Sequence, residues 1–322
     1  MQILIIGGGI FVGRALIEAA LAQGHQVTAF SRGNSPLPRA DEIQSILGDR
    51  HQDLSALTGQ HWDAVIDTCA YRPEDVTALH AAIGSQTGHY TLISSISAYA
   101  DKRSAGLTES SPLAAALANP GPGVTPENYG PLKAEAERAA AVFAQTLIIR
   151  PGIIAGPYDP TDRFTYWVDL IGQLTDLVVP VALPDSPVQI IDARDLASWL
   201  IKLIEAQVTG AFNAVGPQTE TTLQSLLTAI ARSLGRPLKL HPKTDDALVA
   251  AGADPTKDFP LFIPVDAAFG GLFQVDGQKA WASSLTNRAV AATAQDTAAW
   301  FNQNRSDPPK VGWPAKQMAA AS

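Results

Sequence analysis

The chain has 322 residues, enough for one large domain or two smaller ones, and its 46% hydrophobic and 17% charged residues exclude a disordered chain or a charged coiled coil. A net charge of −8 argues against nonspecific binding to nucleic acid or an anionic membrane, and the lone cysteine, Cys69, excludes an intramolecular disulfide and a zinc ribbon. The opening MQILIIGGG is too short for a secretion signal and no run approaches the roughly 18 apolar residues of a membrane span, so the expectation is a soluble, cytoplasmic protein.

In chain order, the β-branched run 3–6 enters Gly7, Gly8 and Gly9, and residues 11–23 follow helical spacing up to a stop at Gly24. Strands are expected at 26–30, 43–47, 64–67, 90–94 and 147–150, with helices at 73–84 and 129–144. Apolar strands alternating with helices predict an α/β fold, a doubly wound parallel sheet of Rossmann type. Beyond residue 150 the pattern changes. Residues 151–187 carry prolines with Phe164, Tyr166 and Trp167, then 189–191, a helix at 193–206 and 212–215 read as one more return to the sheet. A helix at 219–235, an irregular aromatic stretch at 241–288 and a helix near 290–301 follow. The expected division is a dinucleotide-binding domain, 1–150, that also receives about 188–215. A smaller interleaved lobe, 151–187 and 216–302, holds the substrate, and 303–322 is a loose tail.

Gly7-Gly8-Gly9-Ile10-Phe11-Val12-Gly13 joins a strand to a helix. Such a turn offers backbone N–H groups and a helix N-terminus to a pyrophosphate; a purely structural turn is the alternative. Where a ribose-binding acid usually ends the second strand, this chain has Ser31 and Arg32. That pair suits a 2′-phosphate, so NADP(H) is preferred to NAD(H), unless Arg32 is only a solvated turn residue. Arg14 offers a second positive contact, and Asp49 is placed to meet the adenine.

Tyr129 and Lys133 are spaced i, i+4, so a helix puts them on one face, with Asn128 as cap and Pro131 in the first turn. A nearby ammonium lowers a phenol's pKa, which makes Tyr129 a proton donor to a carbonyl or acceptor from an alcohol; an exposed surface pair is the alternative. Ser95, in Ser94-Ser95-Ile96-Ser97-Ala98-Tyr99, ends the fifth strand, where open parallel sheets bind ligands.

The glycine turn, the SSxSxY segment, YxxxK and Arg150-Pro151-Gly152-Ile153-Ile154-Ala155-Gly156-Pro157 together resemble the extended short-chain dehydrogenase/reductases, the NAD-dependent epimerase/dehydratase superfamily. The resemblance implies that Tyr129 is the acid/base, Lys133 its partner and ribose contact, and Ser95 the substrate-oxygen contact. It also sets Gly7, Gly9, Ile10, Phe11, Gly13, Cys69, Ala70 and Pro151 along the cofactor. Ile10 stands where the family's middle glycine stands, and the form GGxxFxG is similar to an atypical branch that includes chloroplast RNA-associated proteins. The asparagine and arginine usual in nucleotide-sugar epimerases are missing, with Val188 at the arginine's position. A less charged substrate is therefore expected, packed near Arg163, Phe164, Trp167, Gln189 or Phe269; ordinary core is the alternative for the aromatics.

The histidines show no ligand spacing, so no metal is expected. The leading expectation is an NAD(P)-dependent oxidoreductase acting on a small carbonyl compound or secondary alcohol. The alternatives are a sugar or nucleotide-sugar epimerase/dehydratase with tightly held cofactor, and a non-catalytic NADP-binding or RNA-associated protein. Paired helices of this fold commonly make a dimer surface, so a homodimer is expected, without nucleic acid or membrane as partner.

Overall fold

The computed structural model describes residues 1–264 and 267–321. β1 (Gln2–Ile6) turns through the glycines into α1 (Phe11–Ala22), followed by β2 (Gln26–Ser31), β3 (Gln44–Leu47) and β4 (Trp62–Asp67). Next come α2 (Pro73–Ile83), β5 (Thr87–Ile93), α3 (Pro126–Ala139) and β6 (Thr146–Pro151). The chain then leaves through β7 (Ile153–Ala155), α4 (Arg163–Gln173) and β8 (Asp176–Pro180), and returns by β9 (Ile190–Asp192), α5 (Ala193–Glu205) and β10 (Gly210–Ala214). It continues through α6 (Leu223–Ser233), β11 (Lys239–Lys243), α7 (Asp245–Ala250), α8 (Gln278–Ala282), α9 (Val290–Asn304) and α10 (Ala315–Ala321).

The seven-stranded sheet has the order β3-β2-β1-β4-β5-β6-β10, parallel at every pairing. Alternation along β1 explains its double burial. Ile3 and Ile5 face the cluster of α1 and α5, with Leu16, Ile17, Leu196 and Leu200; Leu4 and Ile6 face that of α2 and α3, with Val76, Leu79 and Ala136. This is the doubly wound, Rossmann-type fold. Strand order reverses between β1 and β4, so their carboxyl ends open the crevice in which such sheets bind ligands. Asp192 caps α5, its side chain accepting from the Arg194 N–H.

Three expectations about elements change. First, α3 starts at Pro126, capped by Thr125 rather than Asn128. Asn128 is the reciprocal partner, accepting from the Thr125 N–H at 2.7 Å, and Pro131 lies inside the helix. Second, the proline-rich stretch holds a helix, α4, which packs beside α6 and α9. Third, the tail from residue 303 is not loose. Trp313 and Met318 are fully buried in the core of α4 and α6, and Tyr166 donates to the Trp313 carbonyl at 2.9 Å. Arg305 and the Lys310 N–H both bind the Asp162 carboxylate, at 2.5 and 3.0 Å, just ahead of α4.

Candidate active site

The glycine turn is fixed by space. Gly7 sits at φ +93°, in the left-handed region, where a Cβ would come 2.4 Å from Thr68 Oγ1. A Cβ on Gly13 would come 2.1 Å from the Gly7 carbonyl oxygen, so α1 can sit on the end of β1 only without one. Ile10, the N-cap of α1, has ordinary extended backbone (φ −126°) and a side chain turned outward, which is why glycine is dispensable there. No side chain caps α1 and no acid occupies its first turn. Its amides therefore remain available to an anion.

A groove of about 460 Å³ runs along this turn. Gly7, Gly9, Ile10, Phe11 and Gly13 line one side; Ser31, Arg32, Asp49 and Cys69 line the rest. Arg32 is exposed just after β2, whose own residues include no acid. Free helix amides, glycines that admit close approach and an exposed cation fit a dinucleotide phosphate chain. Arg14 is used elsewhere: it donates to the Pro36 carbonyl at 2.6 Å and covers the Tyr158 ring. Ala70 is fully buried outside the groove, and its carbonyl holds Lys133.

Sequence reasoning passed over Arg50. It grips Asp67, the last residue of β4, with two bonds of 2.7 and 2.9 Å, and donates to the Asp75 carbonyl at 2.7 Å. This clamp forms the groove floor beside Cys69. The one available signal was a carboxylate ending an otherwise apolar strand. Burial pushes the Cys69 thiol up to about 11, which makes it no nucleophile.

A second cavity, of about 860 Å³, adjoins the groove and shares Phe11, Val12, Thr68 and Tyr71 with it. Ser95, Tyr129, Lys133 and Pro151 line its inner end; Leu261, Phe262, Phe269 and Phe273 line the outer part. Ser95 and Tyr129 line this end together, and Ser95 Oγ accepts from the Ser97 N–H at 3.1 Å. Lys133 is buried, its ammonium donating to the Ala70 and Ile93 carbonyls at 2.8 Å each, 4.6 Å from the Tyr71 ring centre. Burial lowers its pKa to about 8. The expected effect on Tyr129 is reversed: burial raises the phenol's pKa, and the groups that pull it down are Ser95 and Arg163, not Lys133.

Of the expected substrate contacts, Arg163 and Phe269 line the cavity. Phe164 and Trp167 do not. Both are fully buried on the core side of α4, with the Trp167 indole donating to the Pro260 carbonyl at 2.6 Å. Gln189 is likewise spent, paired with both backbone groups of Val275 at 3.0 Å. Arg194 binds Asp192 and Asp296. Ser94 donates to Glu137, and Tyr99 to Asn213 at 2.6 Å, in a buried network completed by Arg150.

No family model matches the chain. It is 26% identical over 258 residues to the epimerase family protein SDR39U1 of Bos taurus, covering 74% of this chain and 82% of that one. It is also 26% identical over 294 residues to the chloroplast stem-loop binding protein of 41 kDa b of Arabidopsis thaliana, covering 83% and 73%. The structure of human SDR39U1 with NADPH superposes with a TM-score of 0.63 at 19% identity, over 92% or more of both chains, 93% of this one and 99% of that one. In sheet order, glycine turn, serine segment and YxxxK helix the chain is similar to the extended short-chain dehydrogenase/reductases, and it shares their Rossmann-type fold.

Proposed function

We propose that the protein is an NADP(H)-dependent oxidoreductase that transfers hydride between the nicotinamide and a carbonyl or secondary-alcohol carbon of a small molecule. The observation that supports this reading is the grouping of Ser95, Tyr129 and Lys133 in the apolar cavity that adjoins the glycine-turn groove. When bound, the nicotinamide supplies or accepts the hydride. Ser95 holds the substrate oxygen, and Tyr129 gives that oxygen its proton or removes it. Lys133 forms the ribose end of the site beside Pro151, and the apolar outer wall excludes water. In this reading the sheet, with 188–215, holds the cofactor, and the lobe 151–187 and 216–302 holds the substrate.

Exposed Arg32, with no acid at the end of β2, supports NADP(H) over NAD(H), as does NADPH in the human relative's structure. Arg32→Asp should invert the preference, because a carboxylate repels a 2′-phosphate and accepts from a 2′-hydroxyl. Titrating both proteins with NADPH and NADH tests this; a wild-type preference for NADH would sink the Arg32 argument. A cytoplasmic setting fits the free thiol of Cys69, and a homodimer through paired surface helices fits the fold.

A second reading, an epimerase that recycles its own cofactor, is favoured by the name of the bovine and human relatives. Steady NADPH consumption with a carbonyl substrate supports the first reading; product without net cofactor change supports the second. The plant relative's name favours stem-loop binding, which the net charge of −8 opposes.

A further inference from the structure

The cavity beside Tyr129 has an apolar wall, a serine end with Lys133, the hydroxyls of Thr68 and Thr256, and a short polar run, Asp159, Thr161 and Arg163, leading into α4. Among the described residues that line it, three are charged: Lys133, Asp159 and Arg163. Lys133 spends its ammonium on two backbone carbonyls. Asp159 is 1% exposed, with Oδ1 accepting from the Thr161 N–H and hydroxyl at 2.8 and 2.7 Å. Its Oδ2 is buried without a partner; burial raises its pKa, and the Thr161 hydrogen bonds and the Arg163 charge pull it down.

Arg163 is different. Its Nε donates to Thr161 Oγ1 at 3.1 Å, which fixes the direction of the guanidinium. Its terminal nitrogens donate to no described group. Arg50, Arg150 and Arg305 each grip a carboxylate, whereas Arg163, like Arg14, Arg72 and Arg236, forms no ion pair among the described residues, and of these four it alone lines the cavity beside Tyr129. A guanidinium keeps its charge at any working pH, and leaving one half-buried and unpaired is costly. A bound anion removes that cost, and the fork geometry selects a planar, two-oxygen anion. Arg163 and Tyr129 line the same cavity, so an anion held there shares it with the reacting carbonyl.

We propose that Arg163 anchors a substrate carboxylate, so that the substrate class is an oxo acid, or the corresponding hydroxy acid, with an apolar body. The carboxylate sits on Arg163, the reacting oxygen on Ser95 and Tyr129, and the apolar body against Leu261, Phe262 and Phe269. This rests on the oxidoreductase reading for the reacting oxygen, but the anion site stands on its own geometry.

The probes are benzoylformate and its methyl ester, which share an aryl ketone and differ in charge. Their binding to the NADP⁺-loaded protein is measured by calorimetry, and NADPH oxidation is followed separately. The wild type should bind the acid about 10- to 100-fold more tightly than the ester, the worth of a charge-assisted bidentate pair. Arg163→Gln should erase that preference and leave ester binding unchanged. Arg163→Lys, which keeps the charge and loses the fork, should keep a reduced preference, and it serves alone if the Gln variant is unstable. NADP⁺ affinity and melting temperature of each variant report whether the fold is intact. The proposal is overturned if the wild type binds neither probe or shows no preference for the acid, or if the Gln variant keeps the preference. Acid preference without NADPH oxidation would leave the anion site standing and remove the hydride-transfer reading. Equal reduction of acid and ester would do the reverse.

Discussion

A phenol withdrawn from water keeps its proton to higher pH, and burial has that effect on Tyr129. Tyr129 is therefore an acid throughout the neutral range. Carbonyl reduction should hold steady there and fall as pH rises through the raised phenol pKa, while alcohol oxidation, which needs the phenolate, should rise over the same window. Tyr129→Phe keeps the ring and loses the proton, so turnover should drop roughly 10²- to 10⁴-fold with NADP(H) affinity nearly unchanged. Unchanged turnover would mean that the chemistry lies elsewhere. Lys133 titrates lower, at about 8. Between there and the ordinary lysine value the unfolded chain binds a proton that the folded chain does not, so stability rises with pH across that interval. Lys133→Met should abolish this rise, on the order of 3 kcal/mol, in melting curves of the two proteins between pH 7 and 10. Ser95, Tyr129 and Lys133 were legible because their spacings are local. Arg50 on Asp67 was not, because the two meet only when β3 and β4 enter one sheet on either side of β1 and β2.

Glycine decides the element that carries the cofactor groove. In Gly13→Ala the new methyl must displace either the Gly7 carbonyl or the whole of α1. The expected result is a loss of about 1–3 kcal/mol in stability, as for overpacking, with weaker NADP(H) binding. Chemical denaturation and cofactor titration measure the two effects; full cofactor affinity in that variant would show that the turn tolerates the shift. Sequence periodicity placed the strands and helices of the sheet well, because fully apolar strands and capped helices write their signals over a few residues. It missed α4 for a physical reason. Asp162 before α4 is left-handed, at φ +58°, and its carboxylate is held by Arg305 and Lys310, so the helix start depends on residues far along the chain. The same blindness made Phe164 and Trp167 look available for substrate. Aromatic spacing identifies a buried face and is silent on whether core or ligand fills it.

The two cores of the molecule differ in how they are completed. The sheet is complete once β10 joins β6 at its edge. The lobe closes on Trp313, which is fully buried with α4 and α6. Trp313→Ala should cost about 3–5 kcal/mol, the scale of an indole-sized void. It should weaken substrate binding more than cofactor binding, because α4 carries Arg163 and the sheet does not depend on residue 313. Denaturant titration together with NADP(H) and benzoylformate binding checks this. An equal loss of both affinities would mean that the two cores unfold as one.

The late arrival of Trp313 also sets an order of events during synthesis. Strands emerge from the ribosome in the order β1 to β10, so the cofactor groove acquires all its walls well before the lobe does. The indole that seals the lobe follows about a hundred residues after β10. Until then, Trp167, Leu170 and Leu227 lack their covering partner, and a nascent chain displays a finished nucleotide site beside an open apolar face. A cofactor already bound at that stage would hold the sheet together while the rest of the polypeptide is still being made.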